Sequence, residues 1–448
     1  MAKVVIMSPV DTLSGYGFHS RDIIRSIIRI HNDWDIKLIS LPWGQTPRGY
    51  LKEGRDDDLI KLIHTQPTLT YQPDILIQIT VPSEFNPIGK YNIGITAGIE
   101  TTVADPTWVE GCNRMDLVIS TSNHSKDVLM NSKFVKHNKQ TKQPEGQLEI
   151  IKPVEVLFEG SDLNIYKELN IKDDSKIPML WKNLNEKIKE EFAFLYVGHW
   201  LNGEIGHSRK DTGGLIKSFV EAFKNYKKSE RPALILKTGS TFSEIEKQHL
   251  RDKINSIIGD NHTNIYLLNG KLSDEEINEL YNYPKVKAMV STTKGEGYGR
   301  PLQEFALSGK PVIASKWSGQ LDFLKPEYSI LISGELRPIH KSAVWKGVIN
   351  KESKWFYANH IEFQKVLRSV YKSYDKYINK AIKQKEHIEN NFSLTDMDNK
   401  FLSILNTYVP LLPSHAKLKL PVPKLNKVED TNKIPGLSGI ELPKLKIK

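Results

Sequence analysis

Short apolar runs alternate with amphipathic segments along the first part of the chain. In residues 18–30, for example, Ile23, Ile24, Ile27 and Ile28 recur at helical spacing. Such runs predict buried strands and such segments predict helices, and their alternation is typical of a parallel, doubly wound sheet. The predicted strands are residues 3–7, 34–41, 74–80, 91–96, 116–120 and 154–158. The predicted helices are residues 18–30, 106–115 and 122–130.

The same alternation returns in the second part of the chain. Its predicted strands are residues 192–197, 233–237, 264–268, 286–291 and 311–315. A helix over residues 273–281 should begin with a capping box, because Ser273 is followed three positions later by Glu276. After Lys354 the chain is expected to enter a long helical region, which is amphipathic and rich in lysine. The sequence therefore predicts an α/β protein with two Rossmann-like halves.

These patterns divide the chain into five segments. A Rossmann-like domain (1–160) is joined by a connector (161–190) to a second Rossmann-like domain (191–375). C-terminal helices (376–410) and a basic tail (411–448) follow. Within the first domain, residues 133–146 are polar and basic, which predicts a mobile insertion loop.

The net charge of +10 is concentrated near the C-terminus. Residues 411–448 contain eight lysines and three acidic residues, and five prolines follow Leu412. This composition predicts an extended or disordered tail. Basic segments of this kind bind nucleic acid or anionic lipid, or are simply solvated. The tail therefore permits a contact with DNA or with a membrane surface without requiring either.

Several protein classes are excluded by composition. No apolar run approaches the roughly 20 residues that a membrane-spanning helix needs, so no transmembrane segment is expected. The N-terminus predicts a strand rather than a signal peptide. Cys112 is the only cysteine, which excludes an internal disulfide framework and predicts a buried structural thiol. The expected location is the cytoplasm, with peripheral membrane contact left open, or the host cytoplasm if a phage encodes the protein.

The most informative stretch is the predicted strand, loop and helix that contain GEGYGRPLQE. Pro301 suits the first position of the helix, and Glu296 and Glu304 lie in the loop and just inside the helix. Free N–H groups at a helix start bind anions, and carboxylates accept hydrogen bonds from hydroxyls. The pair therefore suits a phosphorylated polyol such as a nucleotide sugar. The alternative is a surface turn with two solvated glutamates.

The string GEGYGRPLQE resembles the signature of the retaining glycosyltransferases of family four, which have the GT-B fold. The resemblance implies two Rossmann-like domains that face each other across a cleft, with Glu296 on the donor sugar and Glu304 on the ribose. Arg300 departs from the signature, which has a small or apolar residue before the proline. The resemblance also implies that the intervening residues bind the donor, namely Gly297, Tyr298, Gly299, Arg300 and Pro301.

Other features of that family have counterparts in the second half. The resemblance implies a basic pair that neutralises the leaving diphosphate, drawn from Arg209, Lys210 and Lys237. It implies that the strand end at Gly270 and Lys271 contacts the base of the donor. In this fold the C-terminal helices cross back to the first domain, which is expected here of residues 393–405.

A turn with Gly15 and Gly17 follows the first predicted strand. The dinucleotide fingerprint requires a third glycine at position 20, where this chain has Ser20, so a dehydrogenase is not indicated. In the resembled family a similar loop faces the donor, which makes both glycines donor-binding candidates. Glu100 and His19 also lie near strand ends, where ligands bind in such sheets. Glu100 either contacts the acceptor or donor sugar, or it caps a helix or forms a salt bridge with a neighbour. His19 is either a base or a structural hydrogen-bonding group.

Together these observations predict a retaining hexosyl- or pentosyltransferase that uses a nucleoside diphosphate sugar and no cofactor. A metal-independent reaction is expected, because the acidic run Asp56, Asp57 and Asp58 does not follow a strand and no metal-ligand cluster is evident. A sugar-nucleotide epimerase of the same fold and a non-catalytic sugar-nucleotide binding protein are the alternatives. The acceptor stays open between a glycan, a lipid, a protein and a hydroxymethylated base in DNA.

Overall fold

A computed structural model describes residues 1–66, 68–138, 140–200, 206–239, 244–259 and 264–410. The tail predictions for residues 411–448 lie outside the described residues. The strands of the first half are β1 (Lys3–Ser8), β2 (Asp35–Ser40), β3 (Ile75–Ile79), β4 (Tyr91–Thr96), β5 (Leu117–Ser120), β6 (Phe134–His137), β7 (Pro144–Leu148) and β8 (Val154–Val156). Its helices are α1 (Gly15–Ile30), α2 (Asp57–Ile60), α3 (Pro106–Arg114) and α4 (Asn123–Asn131).

Six of these strands form a parallel sheet in the order β2-β1-β3-β4-β5-β8. Every residue of β3 is buried, because helices cover both faces of the sheet. Burial on both faces therefore explains the apolar runs at the predicted strands. The predicted helices are also confirmed, as α1, α3 and α4. Cys112 is buried in α3, as predicted.

The second half repeats this architecture. Its strands are β9 (Ala193–Val197), β10 (Ala233–Thr238), β11 (Ile265–Asn269), β12 (Val286–Ser291), β13 (Val312–Ser315), β14 (Ile330–Ile332), β15 (Gly334–Pro338) and β16 (Lys354–Ala358). The first six of these form a parallel sheet in the order β11-β10-β9-β12-β13-β14. The remaining helices are α5 (Met179–Lys187), α6 (Thr212–Phe223), α7 (Glu244–Ile258), α8 (Asp274–Asn282), α9 (Arg300–Ala306), α10 (His360–Lys372), α11 (Asp375–Asn391) and α12 (Leu394–Tyr408). The capping box of Ser273 and Glu276 is present at the start of α8, as predicted.

Two segments differ from their predicted structure. Residues 133–146 are not a loop, because β6 and β7 pair antiparallel in an exposed hairpin from Phe134↔Leu148 to His137↔Pro144. Both faces of most of this hairpin meet water, so its sequence lacks the apolar alternation that marks a strand. The helix expected after Lys354 begins only at His360, and the aromatic residues before it form β16. Aromatic side chains favour strands, and Trp355 is buried there.

The turn after β1 is also shorter than predicted. Ser14 caps α1 by accepting a hydrogen bond from the Gly17 N–H at 3.0 Å, so Gly15 and Gly17 belong to the first turn of the helix. A Cβ on Gly17 would lie 2.2 Å from the Thr12 carbonyl oxygen, whereas a Cβ on Gly15 would meet nothing within 4 Å. Gly17 therefore allows the turn to approach the helix closely.

The chain crosses between the two halves twice, and the crossings lie side by side. The Ser161 N–H donates to the Phe392 carbonyl oxygen at 2.8 Å, and the Leu394 N–H donates to the Ser161 carbonyl oxygen at 3.0 Å. Beyond this point α12 packs against α1, and Arg29 pairs with Asp398 at 2.6 Å. The last described helix thus lies on the first half.

The different surroundings of the two glycines in α1 give a stability prediction. Gly17→Ala should lower the free energy of unfolding by about 2 kcal/mol, because the new methyl group forces the Thr12 turn away from the helix. Gly15→Ala is the matched control and should cause no loss, since its methyl group enters open space and alanine favours the helix. Equilibrium urea unfolding of both variants measures the difference. Equal stability of the two would contradict the close approach at Gly17.

Candidate functional site

The segment from β12 to α9 provides the central loop of the site. Gly299 precedes the helix with a φ of 104°, a left-handed conformation that favours glycine. The helix begins at Arg300, so Pro301 occupies its second position rather than the predicted first one. The loop therefore turns sharply at Gly299 and presents Gly295, Glu296 and Gly297 toward the first half of the protein.

Two glycines of this loop touch the first half directly through the backbone. A Cβ on Gly295 would lie 2.1 Å from the Glu100 carbonyl oxygen, and one on Gly297 would lie 2.2 Å from the Ala97 carbonyl oxygen. The Ser122 hydroxyl donates to the Gly297 carbonyl oxygen at 2.6 Å. Only glycine allows two backbones to approach this closely, so these residues bring the loop against the carboxyl end of β4.

Glu296 lies at the centre of a charged cluster between the halves. Its carboxylate contacts the Lys210 Nζ at 2.5 Å and the Arg209 Nη1 at 3.1 Å. Arg209 also pairs with Glu100 of the first half at 3.1 Å. The Thr293 hydroxyl donates to Glu296 at 2.7 Å. The structure thus brings together four residues that the sequence analysis selected from distant parts of the chain, namely Glu100, Arg209, Lys210 and Glu296.

The cluster keeps Glu296 ionised. Burial by itself opposes ionisation, but Lys210 and Arg209 outweigh it and lower the pKa of Glu296 to about 2. Burial likewise opposes the charge of Arg209, and Glu100 together with Glu296 raises its pKa. Both signs of charge are therefore present and fixed at neutral pH in a site that is largely shielded from water.

Glu304 belongs to a second cluster, one turn into α9. Its carboxylate accepts from the Arg300 Nε at 2.6 Å, and Arg300 also pairs with Asp22 of α1 at 2.5 Å. Burial raises the pKa of Glu304 to about 7, although Arg300 opposes the shift. The residue that departs from the expected signature therefore connects Glu304 to the first half.

A third group surrounds the carboxyl ends of β10 and β11. Lys237 is buried, donates to the Gly270 carbonyl oxygen at 2.7 Å and forms no ion pair with any described residue. Burial lowers its pKa to about 8. Lys271 lies with its Nζ 4.8 Å from the ring centroid of Tyr50, which belongs to the first half. Lys237 and Lys271 thus lie near the interface but outside the Glu296 cluster.

The remaining predicted residues have varied surroundings. Tyr298 is buried, its ring packs at a tilt against Phe323 with 5.1 Å between the ring centroids, and its hydroxyl donates to Gln303. His19 is buried, neither of its ring nitrogens has a hydrogen-bond partner among the described residues, and burial lowers its pKa to about 4. Gly15 and Gly17 flank Tyr16, whose hydroxyl lies 2.9 Å from the Thr96 Oγ1 at the end of β4.

Several residues of the site were not selected from the sequence. Asp22 lies on α1, which was predicted from the isoleucines of its apolar face alone. Thr293 and Ser318 support Glu296, with the Glu296 N–H donating to the Ser318 hydroxyl at 2.9 Å. Glu159 ends the first half, and burial raises its pKa to about 7. Asp22 follows the Gly15 turn and lies one helical turn beyond His19. This spacing is the only sequence signal that points to Asp22.

A cleft of about 500 Å³ adjoins the Arg300 pair. It is lined by charged groups of both halves, among them Asp22, Arg25, Arg55, Asp274 and Arg300. Among the described residues, no group of three or more histidine, cysteine or acidic side chains is arranged to hold a metal ion. Within the same residues, no helix has the length and apolar character of a membrane span.

Neither a scan against models of known protein families nor a search of curated proteins finds a match. The chain is nevertheless similar in structure to solved proteins along almost its full length. HepE from Anabaena, solved with UDP and glucose, is 14% identical, covers 91% of this chain and 100% of its own, and superposes with a TM-score of 0.60. A glycosyltransferase from Rickettsia africae is 14% identical with a TM-score of 0.62, covering 92% and 99% of the two chains.

A third neighbour is sucrose-phosphate synthase from Thermosynechococcus elongatus. It is 13% identical, has a TM-score of 0.58, and covers 91% of this chain and 99% of its own. At these identities the likeness establishes the fold. The chain has the GT-B fold, with two Rossmann-like halves, as the sequence predicted.

The Arg300–Asp22 pair gives a second stability prediction. Asp22→Asn should lower the free energy of unfolding by about 2 kcal/mol, because it leaves a mostly buried guanidinium with one carboxylate instead of two. Asp398→Asn is the matched control, since it removes the partner of the more exposed Arg29 on the same helix and should cost less than about 1 kcal/mol. Chemical denaturation measures both. A larger loss for Asp398→Asn would contradict the importance of the Arg300 pair.

Proposed function

We propose that the protein is a retaining glycosyltransferase that moves a hexosyl or pentosyl group from a nucleoside diphosphate sugar to an acceptor hydroxyl. The observation that carries this proposal is the Glu296 cluster, in which an ionised carboxylate lies between Arg209 and Lys210 where the two halves meet. A carboxylate accepts hydrogen bonds from sugar hydroxyls, and the adjacent cations suit a diphosphate. The site thus offers complementary groups for both parts of such a donor.

The proposed reaction needs charge stabilisation more than it needs a strong base. The bond between the anomeric carbon and the diphosphate oxygen breaks, and its electron pair leaves with the diphosphate. The acceptor oxygen bonds to the anomeric carbon on the same face, and its proton passes to the departing oxygen. Arg209, Lys210 and Lys237 would offset the charge that develops on the diphosphate. Because side chains supply this positive charge, the proposal requires no metal ion.

Arg209 would have to change partners when the donor binds. Its guanidinium contacts Glu100 as well as Glu296, so the diphosphate would exchange for the Glu100 carboxylate. Glu100 would then be released toward the acceptor side of the cleft. Glu304 would accept hydrogen bonds from the ribose hydroxyls through its Oε2 atom, which Arg300 leaves available and which accepts a long hydrogen bond of 3.4 Å from the Tyr281 hydroxyl.

The structural neighbours support the donor class. HepE from Anabaena has been solved in complex with UDP-glucose, and it shares the GT-B fold over 91% of this chain. A donor screen by thermal shift, followed by mass spectrometry of products on candidate acceptors, tests the proposal. Transfer that requires an acceptor distinguishes a glycosyltransferase from an epimerase, which would alter the donor alone. Failure of every nucleotide sugar to raise the unfolding temperature would contradict the proposal.

Glu296→Gln gives the sharpest test of the central residue. The variant keeps the shape of the side chain but removes the charge, so we expect transfer to fall at least about 100-fold, as for other fixed polar groups that act in a transition state. Glu155→Gln is the control, because Glu155 binds Tyr408 and Lys126, which do not belong to the cluster. Product formation is measured at saturating donor, with circular dichroism as the check on folding. Full activity of a folded Glu296→Gln variant would remove Glu296 from the mechanism.

Donor affinity should depend on pH in a bell-shaped manner. Glu304, with a pKa of about 7, gains its charge as the pH rises through that value and then accepts hydrogen bonds fully. Lys237, with a pKa of about 8, loses its charge as the pH rises further. Affinity should therefore be greatest between these two values. Calorimetric titration measures this affinity. The ligand is an intact nucleotide sugar, because a free diphosphate has a terminal phosphate that itself titrates at about pH 6.

Two variants assign the limbs of this profile. Glu304→Gln should remove the rising limb, since no charge is then gained near neutral pH. Lys237→Arg should move the falling limb to higher pH, because a guanidinium stays charged over the whole range. A profile that keeps both limbs in both variants would show that other groups govern donor binding.

A further inference from the structure

The connection between β15 and β16 carries an unusual combination of exposed side chains. We refer to residues 339–353 as the bridging loop. Trp345 is 65% exposed and its neighbour Val344 is 39% exposed. Within the part of the chain that the structure describes, Trp345 is the only exposed tryptophan or phenylalanine. Leu336, on the strand that leads into the loop, is also exposed.

Exposed lysines flank Val344 and Trp345 along the chain. The bridging loop contains Lys341, Lys346 and Lys351, and all three are exposed. None of them forms an ion pair with a described residue, and Glu352 is the only acidic residue in the loop.

The bridging loop holds Trp345 in a fixed position. Trp345 and Ile349 exchange backbone hydrogen bonds of 3.2 and 2.7 Å across a turn at Gly347, whose φ is 78°. The Trp108 Nε1 of the first half donates to the Gly347 carbonyl oxygen at 2.9 Å, and Val348 packs against the apolar cluster around α3. The exposed tryptophan is therefore displayed by a turn that the body of the protein anchors.

The loop also lies close to the Glu296 cluster. At one end, the ring of His340 stacks on His207 with centroids 3.8 Å apart, and His207 precedes Arg209 by two residues. Beyond its other end, in β16, the Phe356 N–H donates to the Lys294 carbonyl oxygen at 3.1 Å, and Lys294 precedes Glu296 by two residues. The exposed surface and the charged site therefore share supporting contacts.

We propose that the bridging loop docks the protein on an anionic lipid bilayer. Tryptophan places its indole at the boundary between headgroups and acyl chains, and lysines are attracted to anionic headgroups. Val344 and Leu336 add aliphatic side chains, which contact a lipid surface favourably. Stacking on nucleic-acid bases or neutral sugars would not use them. The combination of aliphatic, indole and ammonium groups therefore matches a membrane surface.

This placement bears on the acceptor if the proposed glycosyltransferase function holds. With the bridging loop on the bilayer, the supporting contacts that it shares with the Glu296 cluster would keep that cluster near the headgroups. The acceptor hydroxyl would then belong to a molecule held at or in that surface. The docking surface itself does not depend on the reaction and can be tested without it.

Co-sedimentation of the full chain with lipid vesicles tests the proposal. We expect binding to phosphatidylcholine vesicles that contain phosphatidylglycerol and little binding to pure phosphatidylcholine. Replacing Lys341, Lys346 and Lys351 by alanine should weaken binding at least about tenfold, since each lysine near an anionic surface contributes substantially. Trp345→Ala should weaken it several-fold. The matched control replaces Lys376, Lys380 and Lys383, which are exposed on α11, by alanine and should bind as well as the wild type.

Each other outcome overturns the proposal. Equal vesicle binding by the wild type and both loop variants would assign membrane contact to another segment. Loop-dependent binding to duplex DNA without vesicle binding would assign the surface to nucleic acid. Nucleotide sugar should raise the unfolding temperature of the loop variants as much as that of the wild type. A failure of docking therefore changes vesicle binding alone, whereas a failure of the proposed function changes the response to nucleotide sugar.

Discussion

The structure depends on a carboxylate buried between two cations. Burial opposes the charge of Glu296, and Lys210 and Arg209 stabilise it, while Glu296 in turn stabilises the charges of both cations. Because Arg209 also binds Glu100, the same group of charges crosses from the second half to the first. The electrostatics of the site and the contact between the halves are therefore one arrangement rather than two.

The segment from Thr293 to Glu304 links these roles at successive positions. Gly295 and Gly297 provide the backbone contacts, Glu296 the central charge, and Arg300 the pair with Asp22. In addition, the Gln303 side chain donates to the Glu159 carbonyl oxygen at 2.8 Å. A change in the relative position of the halves must therefore alter the surroundings of Glu296 and Glu304 together.

Much of the fold was predictable because both sheets are parallel and buried on two faces. Apolar runs such as Ile75–Ile79, interrupted only by Gln78, are typical of strands that are buried on both faces. The exposed hairpin of β6 and β7 and the strand β16 were missed, because the first lacks an apolar face and the second directly precedes an amphipathic helix. In these segments tertiary pairing, rather than local pattern, decides the structure.

The site was predictable only in part, since its residues come from both halves. Local spacing selected Glu296 and Glu304, and the resemblance added Arg209, Lys210 and Glu100. Neither could select Asp22, because this partner of Arg300 lies 278 positions away in the chain. The resemblance also grouped Tyr298 with its neighbours, and the structure shows Tyr298 buried against Phe323. Spacing alone does not show which residues of a loop face a ligand.

The paired crossings at Ser161 and Ser393 limit how the protein can move. A single connecting strand would let one half swing in any direction about a point. The two crossing segments are joined by hydrogen bonds of 2.8 and 3.0 Å and act as one short ribbon, which resists twisting and sideways bending. Any opening of the protein would then be restricted mainly to rotation about the line of this ribbon. Such a restriction would favour the same register of Arg209 opposite Glu100 whenever the halves are in contact.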